Sequence, residues 1–164
     1  MPKIEANQPL VPSVLDRLID YDPTASRESP TSRNQLLRDL KQNLRRDLEN
    51  LLNTRRRCQS WPKNLDELER SLVNYGVPDM TGATLGLATG REQFREACEK
   101  ALRLFEPRFT KVAVEMLKNP DLLDRTLRFR INAMLHAEPA PEPIVFDSAL
   151  QPVTGNVTVK GTGR

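Results

Sequence analysis

Histidine is the scarcest chemistry-bearing residue: the 164-residue chain has one, His136, and two cysteines, Cys58 and Cys98. A lone His followed by Ala137-Glu138 cannot supply the three or four ligands of a structural or catalytic metal site, and His136 is expected to be a polar strand-end residue. The cysteines form no CxxC pair, so they are expected to be unpaired thiols in a reducing compartment. Aromatic residues make up 5% of the chain, with one Trp and two Tyr. No apolar run reaches the ~18 residues that span a bilayer, so no direct membrane insertion is expected. "MPKIEANQPLVPSV" has no basic segment leading into an apolar one, so no secretory signal is read and the chain is expected in the cytoplasm. The patterns GxxxxGK[ST], GxGxxG and GxSxG are missing, and the glycines at 82, 86 and 90 lack a phosphate-binding lysine. No cofactor, metal or small-molecule ligand is expected.

Charge, by contrast, is plentiful and uneven. The net charge is +3, and residues 33–57 hold eight Arg or Lys against three acids. Such a stripe is either a solvated helix face or a surface for phosphates or an acidic protein. The missing aromatics leave a nucleic-acid reading of this helix without stacking platforms.

Periodicity divides the chain. Residues 1–31 read as an arm: a proline-rich lead-in, a short amphipathic helix in "SVLDRLID" with Val14, Leu15 and Leu18 on one side, and the linker "YDPTASRESPT". Leu36, Leu37, Leu40, Leu44, Leu48, Leu51 and Leu52 recur at helical spacing and predict a helix over 32–54, started by a Ser32–Gln35 capping box. A shorter helix is predicted after Trp61-Pro62, capped by Asn64, with Leu65, Leu68 and Leu72 inward and Gly76 as its stop. After a glycine-rich loop, a third helix is predicted from Thr89, with Glu92 completing its box and Phe94, Ala97, Cys98, Ala101 and Phe105 buried.

At Glu106-Pro107-Arg108 the period changes from helical to two, because proline disfavours helix at the residue before it. Val112, Val114 and Met116 alternate with polar residues, as do Leu127, Phe129, Ile131, Ala133 and Leu135; 143–150 and 155–161 read as further strands. The expected architecture is a single α+β domain over 32–150, N-terminal helices followed by an antiparallel β-meander, with 151–164 a tail or edge strand.

"SVLDRL", "RRDLENLLNTRR", "NYGVPD" and "FEPRF", in this order and at these separations, resemble the TssE family of type VI secretion baseplate subunits. That family is related to the lysozyme-like wedge protein of contractile phage tails. The resemblance covers about 13–150 and implies a non-enzymatic, phage tail-like assembly role. It implies binding to the TssF–TssG wedge complex through Glu106, Pro107 and Arg108, and a strand region on which contractile sheath subunits begin to polymerise. It also implies a cytoplasmic baseplate docked at the inner membrane. Asn53, Arg55 and Arg56 sit on the second motif and are read as supporting an interface.

The residues suggest how such an elbow works. Pro107 holds its neighbours extended, so Glu106 and Arg108 at i and i+2 are expected to project together toward a partner. Arg108→Ala is then expected to spare the fold and lose the wedge. Removal of 143–164 is expected to impair sheath initiation more than wedge binding. Two alternatives stand beside this. A peptidoglycan glycoside hydrolase would use Glu106 as acid with Asp79 or Glu115 as a distant partner, but a guanidinium beside Glu106 favours the ionised carboxylate, the wrong state for a general acid. A nucleic-acid-binding protein would use the basic helix 33–57.

Overall fold

Leucine at every third or fourth position builds the longest element. In the computed structural model, which describes residues 13–19, 33–57, 61–62, 64–79, 85, 87–119, 124–136 and 141–161, α2 spans Arg33–Asn53. It follows a five-residue helix α1, Val14–Leu18. Leu44, Leu48 and Leu52 are fully buried, which is the narrow stripe its spacing predicts. Ser32 and its capping box lie outside the described residues, as do the linker 21–31 and Cys58. The Gln35 amide donates to Asp39 at 3.0 Å.

The helix expected after Pro62 is instead two 3₁₀ turns, Asp66–Arg70 and Leu72–Asn74, with no side chain capping either. Leu65 and Leu72 are 44% and 86% exposed rather than inward. Short polar side chains explain the failure: the Ser71 hydroxyl donates to Leu68 O at 2.8 Å and the Asn74 amide to Glu69 O at 2.8 Å. Such local bonds compete with an α-helical ladder. Gly76 does take positive φ, 109°, but for a different reason than a helix stop: a Cβ there would meet Thr54 O at 2.3 Å. The glycine lets two segments of the chain touch where Arg55 and Val77 form an isolated parallel bridge, with Val77 N–H on Thr54 O and Arg56 N–H on Val77 O, both 2.9 Å.

α3 spans Ala88–Phe105 and begins one residue before the expected start, with no side-chain cap. Glu92 completes no box, because Arg95 holds its carboxylate at 2.5 and 2.9 Å. Phe94, Cys98, Ala101 and Leu102 are buried. Burial pushes the Cys98 thiol well above its ordinary pKa, so it packs as a small apolar group.

Four strands follow in a plain meander: β1 Phe109–Leu117, β2 Leu127–Leu135, β3 Glu142–Leu150 and β4 Val157–Gly161, each antiparallel to the next in chain order. Val112, Val114, Phe129, Ile131, Leu135, Ile144, Phe146, Leu150, Val157 and Val159 make one buried face, under α3 on the β1 side and α2 on the β4 side. The Phe94 and Phe129 rings meet edge-to-face at 5.4 Å in this core. The α+β architecture is the expected one. Since β3 carries three core residues, Ile144, Phe146 and Leu150, loss of 143–164 would expose the core itself and cannot separate two binding functions.

Candidate functional site

The elbow between α3 and β1 is built by its backbone first. Glu106 N–H closes the helix on Leu102 O at 3.0 Å, and Phe109 N–H returns to Glu106 O at 3.2 Å. Pro107 lacks an amide to satisfy, and Arg108 O accepts from His136 N–H at 2.8 Å, which places His136 at the end of β2 as expected. Glu106 has φ −118° and ψ 84°, outside the helical region, as a residue before proline should be.

The charged side chains do not stand out toward solvent. Glu106 is 5% exposed. Its carboxylate is gripped from both sides: Arg108 Nε donates to Oε1 at 2.6 Å and Nη2 to Oε2 at 2.6 Å. Nη2 also donates to Asp47 Oδ2 on α2 at 2.6 Å. Asp47 bonds Arg46 at 3.0 Å, and Arg46 reaches Asp16 of α1 at 2.8 Å. Asp16, Arg46, Asp47, Arg108 and Glu106 thus form one chain of alternating charge joining α1, α2 and the elbow. The i and i+2 side chains share a side, as extended geometry requires, but they turn onto each other because a bidentate fork is the best partner a buried carboxylate can find.

Burial works against the Arg108 charge, and bonds to Glu106 and Asp47 outweigh it, holding the guanidinium's pKa above the ordinary value. Burial likewise raises the Asp16 carboxyl, and its bonds to Ser13 and Arg46 outweigh that and set it below the usual range. One donor is left over: Arg108 Nη1 is buried without a hydrogen-bond partner among the described residues. Arg108 itself lines a cleft of about 440 Å³ with Ser13, Asp47, Leu51, Tyr75, Phe105, Glu106 and Pro107. Tyr75 and Phe105 meet edge-to-face at 5.2 Å. Burial, then the Asp47 and Glu106 charges, raise the Tyr75 hydroxyl's pKa, so it remains a neutral donor. Pro107 is exposed.

The other residues singled out from the sequence lie elsewhere. Asn53 donates to Val157 O and accepts from Val157 N–H, both at 2.8 Å. Arg55 donates to Gly155 O and lies 3.5 Å from Asp79. Arg56 acts through its backbone bond to Val77 and borders a separate cleft with Pro78 and Lys100. No side-chain bond joins this group to the elbow among the described residues. Asp16, Asp47 and Tyr75 were not singled out, although each stands inside a quoted motif; the signal was a string of motif residues with no helical-stripe role.

The geometry also bears on the two alternatives. Glu106 is saturated by Arg108, while Glu115 is exposed in mid-β1 and the Asp79 side chain is 69% exposed beside Arg55. Among the described residues no group of three or more His, Cys, Asp or Glu could hold a metal ion, and no helix is long and apolar enough to cross a membrane. Several α2 cations are engaged within the chain: Lys41 on Glu142, Arg45 on Glu49, Arg46 on Asp16 and Asp47.

Helices laid on a four-stranded meander, with a charged corner at the junction, are the class of fold that the motifs imply. The chain belongs to the family of baseplate wedge protein gp25, whose model matches residues 38–140, from α2 through β2. It is similar in structure to a chain of the baseplate complex from the type VI secretion system, with 18% identity over 72% of this chain and 96% of that one, at a TM-score of 0.46. No curated protein matches it.

Proposed function

We propose that the chain is a non-enzymatic, cytoplasmic baseplate subunit of a type VI secretion system, docked at the inner membrane. Its cleft at the Glu106-Pro107-Arg108 elbow seats the TssF–TssG wedge complex, and its sheet helps start the contractile sheath. Membership of the baseplate wedge family supports the structural role, and the four ordered motifs support the type VI reading. The observation that carries the docking site is the Arg108 fork, whose buried Nη1 has no partner among the described residues and which lines a cleft with Tyr75, Phe105 and the exposed Pro107. A buried donor with no acceptor costs about 1–3 kcal/mol, which a carbonyl or carboxylate delivered by a partner would recover. The ion chain holds the fork rigid before the partner arrives, so little ordering is lost on docking.

Pro107→Gly tests this without touching the buried pair. The wild-type chain should co-purify with TssF and TssG from cells carrying the whole secretion cluster. The variant should fold with stability lower by only about 1 kcal/mol, from the freer unfolded chain, and capture the wedge about tenfold more weakly, having lost a stiff apolar contact. Unchanged capture would refute the elbow as the docking site. Failure of the wild type to bring down either wedge protein would refute the function.

A further inference from the structure

A cavity of about 840 Å³ opens at the end of the sheet farthest from the elbow. The elbow begins β1 and the cavity ends it, so nine residues of strand separate the two by roughly 25–30 Å. Part of its wall is apolar: Met116 and Leu117 at the end of β1, Leu127 at the start of β2, Pro152 in the β3–β4 turn, and Leu85.

The polar part of the wall is one-sided in charge. Four cations line it, Arg91, Lys118, Arg125 and Arg128, against one acid, Asp124. That acid is already engaged: its carboxylate accepts from Thr126 N–H at 2.9 Å and from Arg128 at 3.1 Å. Lys118 and Arg125 are exposed and have no ion-pair partner among the described residues. Cations gathered without counter-charge repel one another, and an arriving anion relieves that repulsion.

Asn119 supplies a third feature of the same cavity. Its side-chain amide spends both hydrogens, on Asp124 O at 2.7 Å and Thr126 O at 2.6 Å, which fixes which way the group points. Its Oδ1 is buried and has no hydrogen-bond partner among the described residues. An acceptor is thus held in place that the described chain does not use.

One carbon atom can carry the complement of all three features. In the last residue of a polypeptide, the α-carbon bears a carboxylate, an N–H and a side chain. An internal Asp or Glu holds its carboxylate a methylene or more from the backbone and brings no apolar group on the same carbon. A fatty acid brings no N–H. We propose that this cavity binds the free carboxyl terminus of a partner polypeptide ending in an apolar residue. The carboxylate lies among Arg91, Lys118 and Arg125, the terminal N–H donates to Asn119 Oδ1, and the side chain packs on Leu85, Met116 and Leu127. Charge-assisted bonds orient the terminus, and the apolar wall supplies burial. The site is separate from the elbow and stands whether or not the elbow seats the wedge.

The probe is acetyl-Gly-Gly-Gly-Leu with a free carboxylate, titrated calorimetrically into the full chain. The free acid should bind, and the same peptide as its terminal amide should bind about tenfold more weakly. A methyl group on the leucine nitrogen removes the donor to Asn119 and should weaken binding about three- to tenfold. Serine in place of the leucine should weaken it by a similar factor. Arg125→Glu and Lys118→Glu alter exposed side chains and should each weaken the free acid about tenfold without shifting the melting temperature. Arg38→Glu makes the same charge change on α2, three residues from the Lys41 that pairs with Glu142 at the opposite end of the sheet. It should leave binding within about twofold. Equal affinity for acid and amide, or equal loss in Arg38→Glu and Arg125→Glu, overturns the proposal. Octanoate bound as tightly as the peptide assigns the cavity to small carboxylic acids and overturns the polypeptide terminus. The peptide comparisons use unaltered protein, so they decide the matter even where a variant fails to fold.

Discussion

The two halves of one motif, "RRDLENLLNTRR", serve α2 in opposite ways. At its start, Asp47 and Arg46 belong to a chain of five charges that is largely covered and includes a donor with no partner among the described residues. At its end, Asn53 and Arg55 hold the β3–β4 turn and the first residue of β4 by bonds to backbone atoms. The second group is complete within the chain; the first is not. A motif shared by a family therefore does not mark one interface. Its residues divide by whether their hydrogen-bonding capacity is used up at home, and the unused remainder is where a partner has something to offer.

Arg108→Ala strikes the incomplete half and should have the largest effect. It strands the Glu106 carboxylate, 5% exposed, without its fork, and breaking a buried pair of this kind costs about 3 kcal/mol. The variant should be clearly destabilised in denaturant melts, against the sequence expectation of an intact fold. Arg108→Lys keeps the charge but cannot bridge Glu106 and Asp47 through a planar fork. It should lose roughly half as much stability and still fail to capture the wedge. An Arg108→Ala chain as stable as the wild type would show that the buried chain of charge contributes nothing, and the contrast with Asn53 would fall.

Asn53→Ala sharpens the other side. Two neutral bonds to an edge strand are worth about 1–2 kcal/mol together, and their loss should free the amide of Val157. Hydrogen exchange should accelerate at Val157 and Val159, with the elbow amides unchanged and wedge capture retained. Loss of capture would mean that the two halves act as one surface after all.

Much of the fold was legible in the sequence because core-facing positions repeat. The 3.6-residue leucine stripe of α2 and the strict alternation of β2 each point one way only, and both elements fall where the spacing put them. The segment after Pro62 misled because its leucines keep helical spacing while Ser71 and Asn74, which turn back on the backbone, carry no periodic signal. At the elbow the proline pointed to the corner and to the shared side of Glu106 and Arg108 but not to their burial. That depends on Asp47, 61 positions away, brought in by packing that no local pattern encodes. The bonds of Glu99 to Val114 N–H and of Arg103 to Val112 O on β1 were equally invisible, since on α3 the two residues look like solvated i, i+4 charges.

The smallest effect should come from the far end of the charge chain. α1 leaves Val14, Leu15 and Leu18 at 66%, 56% and 76% exposed, so little apolar burial holds it, and among the described residues Asp16 ties it to the body of the fold through Arg46 at 2.8 Å. Asp16→Asn should loosen α1 by about 0.5–1 kcal/mol without moving the main unfolding transition. Acid should do the same to the wild type. The folded-state pKa of Asp16 lies below its ordinary 3.8. The tie is therefore fully present above about pH 4 and is lost as pH falls through that lower value, because protons then bind the carboxylate and displace Arg46. Amide exchange in α1 should rise below pH 4 in the wild type and be fast and pH-flat, after correction for intrinsic rates, in Asp16→Asn. A wild-type α1 indifferent to acid would detach Asp16 from the chain of charge, and the incomplete half of α2 would then begin at Asp47 rather than at the arm.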